Sequence, residues 1–333
     1  MISGGIKKMS LVHGKEVSLF ALNSNRKLAE EIAEFLGIPL ADCSINHFAD
    51  GEVNLDIKET VRGHECFIVQ STSEPVNEHY MELLIMIDAL KRASAKTINV
   101  VMPYYGYCRQ DRKAQSRQPI SAKLVADLLT VAGATRVLAL DLHASQIQGF
   151  FNIPIDNFVA MPVMVSYLKK KQLDDVVIVS PDHGGAARAR KFASALSDDT
   201  PLAIIDKRRP KPNVAEALSI IGDVEGKNCV IVDDIIDTAG TACAGIEALR
   251  KAGAKDIYMC ASHAILSDPA IERIEKSSLK ELIVTNSICL PERKKIAKIT
   301  QLSVAKIFGQ GILNILDNLA LSDLFNYNPD QEF

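Results

Sequence analysis

The stretch VIVDDIIDTAGT (residues 230–241) decides the fold class of this chain. It opens with three β-branched apolar residues, and Asp233 and Asp234 follow them directly. An apolar run of this kind predicts a strand that is buried on both faces, as in a parallel sheet. Thr238, Gly240 and Thr241 then open an amphipathic segment, so the stretch predicts a strand, a polar loop and a helix in succession.

The same alternation of apolar strands and amphipathic helices continues along the chain. Strands are predicted at residues 17–22, 66–70, 98–102, 137–141, 176–180, 229–233, 257–261 and 282–285. Helices are predicted at residues 26–36, 78–93, 121–132, 185–196, 240–252 and 270–277. This order predicts an α/β protein whose sheets are mainly parallel and flanked by helices.

The predicted strands fall into two groups that divide near residue 158. Each group can form its own open sheet, and a chain of 333 residues suits two domains. We expect an N-terminal domain at residues 1–158, a C-terminal domain at 159–325 and a tail at 326–333. Residues 150–157 are interpreted as the crossover, and the last helix is a candidate for packing back on the N-terminal half.

Composition excludes several classes of protein. The net charge is −3 and the isoelectric point is about 6.2, which gives no general electrostatic basis for binding nucleic acid or membranes. The chain has seven cysteines, which is an odd number, and none of them form a C-x-x-C pair. We therefore expect reduced thiols. Without an apolar signal core or a run of about 18 apolar residues, we expect a cytoplasmic protein.

The loop after residues 230–233 has the groups that a pentose phosphate requires. Hydroxyls and free amides at the start of a helix bind phosphate, and we expect Gly240 to allow the sharp turn. The carboxylates upstream can accept hydrogen bonds from sugar hydroxyls. An acidic strand end followed by an ordinary capped helix is the alternative interpretation.

Other polar segments follow predicted strands. Asp141 and Asp233 end two predicted strands, and Asp182 closely follows a third. Ligands of open parallel sheets bind at the edge formed by the carboxyl ends of the strands. PYYGYCRQDRKAQSRQP (residues 103–119) has four cations that suit a polyphosphate, with a solvated loop as the alternative. IIDKRRPKPN (204–213) is a basic segment after a short strand, which predicts either a mobile flap or a solvated turn.

Together these segments, with NHFADGEVN (residues 46–54), resemble the ribose-phosphate pyrophosphokinase family, from about residue 17 to residue 325. From the residues alone, Phe48 would be a core aromatic and Asp50-Gly51 a hairpin turn. The resemblance implies two tandem phosphoribosyltransferase-like domains. It also implies transfer of the diphosphoryl group of ATP to the 1-hydroxyl of ribose 5-phosphate, which gives phosphoribosyl pyrophosphate and AMP for nucleotide biosynthesis.

The resemblance assigns roles to particular residues of this chain. It implies ATP binding by Phe48, Asp50, Gly51, Glu52, Arg109, Gln110, Asp111 and Arg117. It implies ribose 5-phosphate binding by Arg209, Asp233, Asp234, Asp237, Thr238, Ala239, Gly240 and Thr241. It implies Mg²⁺ binding by His143 and Asp182, and catalysis by Lys207 and Arg209. A His ligand is atypical for Mg²⁺, and no strong base for the anomeric hydroxyl is evident.

The resemblance also implies a homohexamer built from dimers, activated by phosphate and inhibited by ADP in many members. Here ALSDLF (residues 320–325) departs from the Ser-Val-Ser-Tyr-Leu-Phe-like ending, and the loss of the first Ser and of the Tyr argues against carrying over this regulation. Three alternatives remain: a phosphoribosyltransferase, a non-catalytic relative, and a nucleic-acid-binding regulator. The basic loop at 109–117 argues against a phosphoribosyltransferase. The retained cations argue against a non-catalytic relative, and the acidic isoelectric point argues against a nucleic-acid-binding regulator.

Overall fold

The computed structural model describes residues 10–208 and 217–324, which form two compact units. The first unit extends to Phe158 and also contains the segment that begins at Ala305, whereas the second covers Val159–Val304. Each unit combines helices with a sheet in which parallel pairing predominates. The predicted fold class, α/β with mainly parallel sheets, is therefore confirmed.

The first unit contains one large sheet and a separate hairpin. Its strands are β1 (Leu11–Val12), β2 (Lys15–Ala21), β3 (Cys43–His47), β4 (Val53–Ile57), β5 (Glu65–Val69), β6 (Thr97–Met102), β7 (Arg136–Leu140) and β8 (Ile155–Phe158). The sheet order is β1-β2-β5-β6-β7-β8, and every pair except β1-β2 is parallel. β3 and β4 form the antiparallel hairpin. Val100 and Val101 of β6 are completely buried, as a sheet covered on both faces requires.

The helices that follow these strands begin and end where the sequence indicates. They are α1 (Arg26–Leu36), α2 (Val76–Arg92) and α3 (Ser121–Ala132), with a 3-10 helix at Ser145–Phe150. In α1 the Asn25 side chain accepts a hydrogen bond from the Leu28 amide, and Gly37 ends the helix in a left-handed conformation with a φ of 67°.

The second unit is built around a seven-stranded sheet. Its strands are β9 (Val176–Ser180), β10 (Leu202–Arg208), β11 (Ala217–Ile221), β12 (Asn228–Ile236), β13 (Ile257–Ala264), β14 (Glu281–Thr285) and β15 (Ile299–Leu302). Its helices are α4 (Met161–Lys171), α5 (Ala186–Leu196), α6 (Gly240–Lys251) and α7 (Ala270–Lys276), with a 3-10 helix at Glu292–Lys294. The sheet order is β11-β10-β9-β12-β13-β14-β15, and within the described residues β11 alone is antiparallel to its neighbour.

The chain then returns to the first unit as α8 (Ala305–Asp317), which packs on α1 and is followed by a 3-10 helix at Ser322–Leu324. Two glycines of α8 lie against aromatic rings. A Cβ atom at Gly311 would come within 2.5 Å of Cζ of Phe158, and one at Gly309 would meet the ring of Phe35. Across the parts of the chain described here, none of the helices has the length and apolar character needed to cross a membrane.

The predicted strands and helices are all present, and the differences have local causes. Residues 150–157 are not simply a crossover, because Ile155 begins β8, which pairs with β7. Asp156 and Asn157 make this strand look polar, and each has a specific partner. Arg136 donates to Asp156 at 2.5 Å, and the amide of Leu142 donates to Asn157 at 3.0 Å. The last helix was expected and corresponds to α8, whereas α4, β1, β11 and β15 were not predicted.

Replacing Gly311 with Ala is expected to lower the free energy of unfolding by about 1–2 kcal/mol. The added methyl group must displace the fully buried Phe158 ring, and such overpacking outweighs the gain of about 1 kcal/mol in helix propensity. Gly309→Ala is the matched control on the same helix, because Phe35 is 38% exposed and its ring can move. Urea unfolding measures both, and equal losses would contradict the packing argument.

Candidate active site

The predicted sugar-phosphate loop connects β12 with α6 in the second unit. The left-handed residue of this turn is Ala239, with a φ of 58°, and Gly240 is the first residue of the helix. The expectation that Gly240 makes the sharp turn is therefore wrong. Gly240 is needed for space, since a Cβ there would lie 3.2 Å from Nη1 of Arg273. In the described structure no side chain caps α6, so its first amides point toward the loop as a phosphate site requires.

Arg273 of α7 supports this loop and was not identified from the sequence. Its Nη1 atom donates a hydrogen bond to the carbonyl oxygen of Thr238 at 2.8 Å. The guanidinium thereby connects α7 with the residue that precedes the left-handed turn. Arg273 belongs to no motif and is far from the loop in sequence, so no pattern could have predicted the contact.

The loop conformation predicts an unusual response to glycine. A left-handed conformation costs an L-residue about 1–2 kcal/mol, so Ala239→Gly is expected to leave the protein as stable or up to about 1 kcal/mol more stable. Ala187→Gly, on exposed α5, is the control and should lose about 1 kcal/mol. Urea unfolding compares the two variants, and similar losses would refute the assigned strain.

Asp233 and Asp234 lie near the end of β12, and both contact Arg188 of α5. Nη1 of Arg188 donates to Oδ1 of Asp233 at 3.0 Å and to Oδ1 of Asp234 at 2.8 Å. Burial is the main cause that raises the pKa of Asp233 to about 7, and neighbouring Asp234 adds to it, while Arg188 acts in the opposite direction. A pair of carboxylates is thus present where hydroxyl acceptors were predicted, with a cation that the sequence analysis did not assign.

Asp182, the predicted metal ligand of this unit, lies in the turn between β9 and α5. Its Oδ1 atom accepts a hydrogen bond from the amide of Gly185 at 2.9 Å, and Ser180 Oγ donates to its carbonyl oxygen at 2.6 Å. These contacts fix an exposed carboxylate at the carboxyl edge of the sheet. His183 contacts Asp206 of β10 at 3.1 Å, which connects this turn with the strand that ends in Lys207 and Arg208.

The two predicted catalytic cations are Lys207 and Arg209, and the structure describes the backbone of Lys207 alone. Lys207 pairs with Leu218 near the end of β10, so the strand extends into the segment interpreted as a flap. Arg209 lies outside the described residues, as do the following residues to 216.

In the first unit, the β3–β4 hairpin presents four of the predicted nucleotide-binding residues. The turn is formed as expected: Gly51 has a φ of 94°, and Oδ1 of Asp50 accepts from the amide of Glu52 at 3.2 Å. Phe48 is 54% exposed, so its interpretation as a core aromatic is wrong. An exposed aromatic ring on a short hairpin is suited to stacking on a flat ligand.

The loop after β6 lines a cavity of about 520 Å³ beside the start of α2. Arg109 and Gln110 contribute to its wall, together with Tyr107 and Asn77. Oε1 of Gln110 accepts from the Ser121 hydroxyl at 2.5 Å, which fixes this end of the loop to α3. The cavity therefore places two predicted nucleotide-binding residues beside polar side chains that the sequence analysis missed.

The remaining predicted residues of this unit lie in adjoining loops. Asp111 accepts a hydrogen bond from Nε2 of Gln146 at 2.6 Å, so the basic loop contacts the segment that carries His143. His143 is exposed, and Arg117 has a left-handed φ of 66°. The two predicted metal ligands belong to different units, His143 to the first and Asp182 to the second.

A further group of possible metal ligands comes together between β3 and α2. Ligand atoms of His47, Glu78 and Glu82 lie within 4.8 Å of one another. Both carboxylate oxygens of buried Glu82 already accept hydrogen bonds, one from Asn23 at 2.5 Å and one from Gln70 at 2.8 Å. His47 contacts Glu78 at 3.4 Å. These bonds account for the cluster as a polar contact that holds the hairpin against α2.

Comparison with known proteins agrees with this arrangement. Residues 17–133 match the family model for the N-terminal domain of ribose phosphate pyrophosphokinase, and residues 195–326 match that for the phosphoribosyl synthetase-associated domain. The chain is 61% identical to the ribose-phosphate pyrophosphokinase of Bacillus caldolyticus, over 93% of this chain and 98% of that protein. It is 60% identical to that of Corynebacterium ammoniagenes, over 93% and 97%.

A solved structure gives the same result. The phosphoribosylpyrophosphate synthetase of Mycobacterium smegmatis superposes with a TM-score of 0.86 at 42% identity, over 91% of this chain and 99% of that chain. The two α/β units and their loops thus define an enzyme with the two-domain phosphoribosyltransferase-like architecture. The chain belongs to the ribose-phosphate pyrophosphokinase family.

Proposed function

We propose that this enzyme transfers the β,γ-diphosphoryl group of ATP to the 1-hydroxyl of ribose 5-phosphate. The anomeric hydroxyl releases its proton to solvent as its oxygen forms a bond to the β-phosphorus, the bond from that phosphorus to the α,β-bridging oxygen breaks, and AMP leaves. One observation carries the proposal: a sugar-phosphate loop preceded by two carboxylates is combined in one chain with a basic loop that lines a cavity. A phosphoribosyltransferase would need the first feature alone.

The ribose 5-phosphate side follows from the second unit. The 5-phosphate binds at the uncapped start of α6, to the amides and hydroxyls of residues 237–241. Asp233 and Asp234 accept hydrogen bonds from ribose hydroxyls. Because these groups are fixed by Arg188 and Arg273 before substrate arrives, the anomeric oxygen is held in one orientation.

The ATP side follows from the first unit. Phe48 stacks on the adenine, and Asp50, Gly51 and Glu52 position it through the rigid hairpin turn. The remaining groups bind the ribose and the polyphosphate from the basic loop; they are Arg109, Gln110, Asp111 and Arg117. Lys207 and Arg209 then neutralise the charge that moves to the leaving oxygen.

We also propose that the reaction requires Mg²⁺. The exposed Asp182 carboxylate offers a hard oxygen ligand, and His143 supplies a nitrogen. Mg²⁺ keeps several waters and takes its other ligands from substrate phosphates, so few protein ligands suffice. When bound, the cation neutralises polyphosphate charge and orients the β-phosphorus.

We also propose a homohexamer built from dimers, working in the cytoplasm without nucleic acid or membrane partners. One apolar stripe supports assembly. Leu124, Leu128 and Val131 are spaced by one helical turn along α3 and are 59%, 44% and 77% exposed in the single chain.

The proposed reaction predicts AMP release from ATP, Mg²⁺ and ribose 5-phosphate without any added base. Lys207→Ala is expected to lower kcat about 100- to 1,000-fold, because one preorganised charge is lost from the transition state. Lys251→Ala, an exposed lysine in the last turn of α6, is the control and should retain full activity. Chromatography of AMP and phosphoribosyl pyrophosphate measures both. Absence of AMP from the unaltered protein would disprove the proposal in favour of a phosphoribosyltransferase or a non-catalytic role.

Phe48→Ala is expected to raise KM for ATP roughly 5- to 100-fold, since base stacking contributes about 1–3 kcal/mol. Phe48→Tyr retains the ring and should stay within a few-fold of the original KM. The thermal midpoint should not change in either variant, because the ring is largely exposed. A KM that is the same for all three proteins would exclude Phe48 from the nucleotide site.

A further inference from the structure

The carboxylates of β12 lie where one side of the strand loses its partner. β9 pairs with β12 as far as Ile231, opposite Val179. On the other side, β13 continues to pair as far as Ile236, opposite Ala264. Asp233 and Asp234 therefore lie beyond the end of β9, next to the chain that leads from β9 into α5.

Arg188 of α5 occupies this position and contacts both carboxylates through one atom. Its Nη1 atom lies 3.0 Å from Oδ1 of Asp233 and 2.8 Å from Oδ1 of Asp234. Consecutive residues of a strand normally point to opposite faces, so a single donor shared by both is an unusual constraint. Asp234 is 4% exposed, and an ionised carboxylate buried to this extent requires a charged or hydrogen-bonding partner.

The charged groups around the pair are few. Within the described residues, β9 offers no titratable side chain, and Ala261 is the β13 residue opposite Asp233. The nearest histidine of β13, His263, is buried and bonded to the hydroxyl of Ser287 at 2.9 Å. From β12 and its loop, Asp234 and Asp237 add negative charge. Arg188 is a cation that opposes them: burial and Asp234 raise the pKa of Asp233 to about 7, although Arg188 acts in the opposite direction.

We propose that Arg188 is a positioning residue of the reaction, which opposes protonation of Asp233 and holds both carboxylates directed toward the ribose hydroxyls. It acts through these carboxylates and does not itself touch the substrate. Arginine is suited to the task because its charge persists at every relevant pH and its planar group can serve two acceptors. The inference rests on the proposed function, since it assigns the pair to ribose 5-phosphate.

The test is the pH dependence of kcat/KM for ribose 5-phosphate at saturating ATP and Mg²⁺. Asp233 must be deprotonated to accept a hydroxyl proton, so kcat/KM falls as the pH drops through its pKa. Arg188→Gln removes the opposing charge and should move this fall to higher pH by about one unit or more, with KM for ribose 5-phosphate raised about tenfold at neutral pH. KM for ATP should not change.

Two variants make the result specific. Arg188→Lys retains the charge and should keep the fall close to its original pH, while losing part of the geometry and raising KM modestly. Arg190→Gln, an exposed arginine on the same helix, should leave the profile unchanged. An unshifted profile in Arg188→Gln, or an equal rise of KM for ATP, overturns the inference.

Two further measurements test the proposal if the Arg188→Gln variant does not fold or if the unaltered protein releases no AMP. Should Arg188→Gln not fold, Arg188→Lys tests the positioning role, because a single ammonium group cannot reproduce the shared contact of Nη1 with both carboxylates; an unchanged KM for ribose 5-phosphate in this variant overturns the proposal. Should the unaltered protein release no AMP, the proposed reaction fails. The same pH comparison then uses ribose 5-phosphate binding by calorimetry, so the two failures remain distinct.

Discussion

The structure of the second unit depends on two adjacent carboxylates near the end of a central strand, of which Asp234 is buried and Asp233 is partly buried. β12 lies between β9 and β13, and after Asn228 its residues as far as Val232 are apolar and buried. Two negative charges at the end of such a strand are unfavourable unless a cation and hydrogen bonds compensate them. Arg188 provides the cation, and α5 must follow β9 closely for its side chain to reach the pair. The early end of β9, the turn at Asp182 and the start of α5 are parts of one arrangement.

The features of the fold that could be predicted are those that apolar residues define. The buried strands are long apolar runs, and the limits of α1 and α3 agree with prediction because apolar spacing defines them. β8 was missed because Asp156 and Asn157 interrupt the apolar pattern expected of a strand. Both polar side chains form hydrogen bonds with residues outside the strand, so the strand can be part of the sheet. A pattern read along one strand contains no information about such partners.

The residues of the candidate site also include some that could be predicted from the sequence and some that could not. The loops that carry it could be found from the sequence because each follows a strand and concentrates charge or small polar residues. The residues that support those loops, Arg188 and Arg273, could not be found. Each contributes from a neighbouring helix, Arg188 through two hydrogen bonds and Arg273 through one, and an arginine on a helix forms no recognisable sequence pattern. Phe48 shows the opposite error, because an aromatic residue suggests a core until the structure shows it exposed.

Left-handed backbone occurs in these loops, as it does at six other described non-glycine residues. Several non-glycine residues have left-handed φ values in the segments that carry predicted site residues: 39° at Asp141, 58° at Ala239, 63° at Tyr107 and 66° at Arg117. Each such residue costs about 1–2 kcal/mol, which the surrounding packing must offset. Glycine would remove this cost, yet these positions carry side chains. Strain retained at the carboxyl ends of β6, β7 and β12 is therefore expected where the backbone must present amides and side chains to a ligand in one fixed geometry.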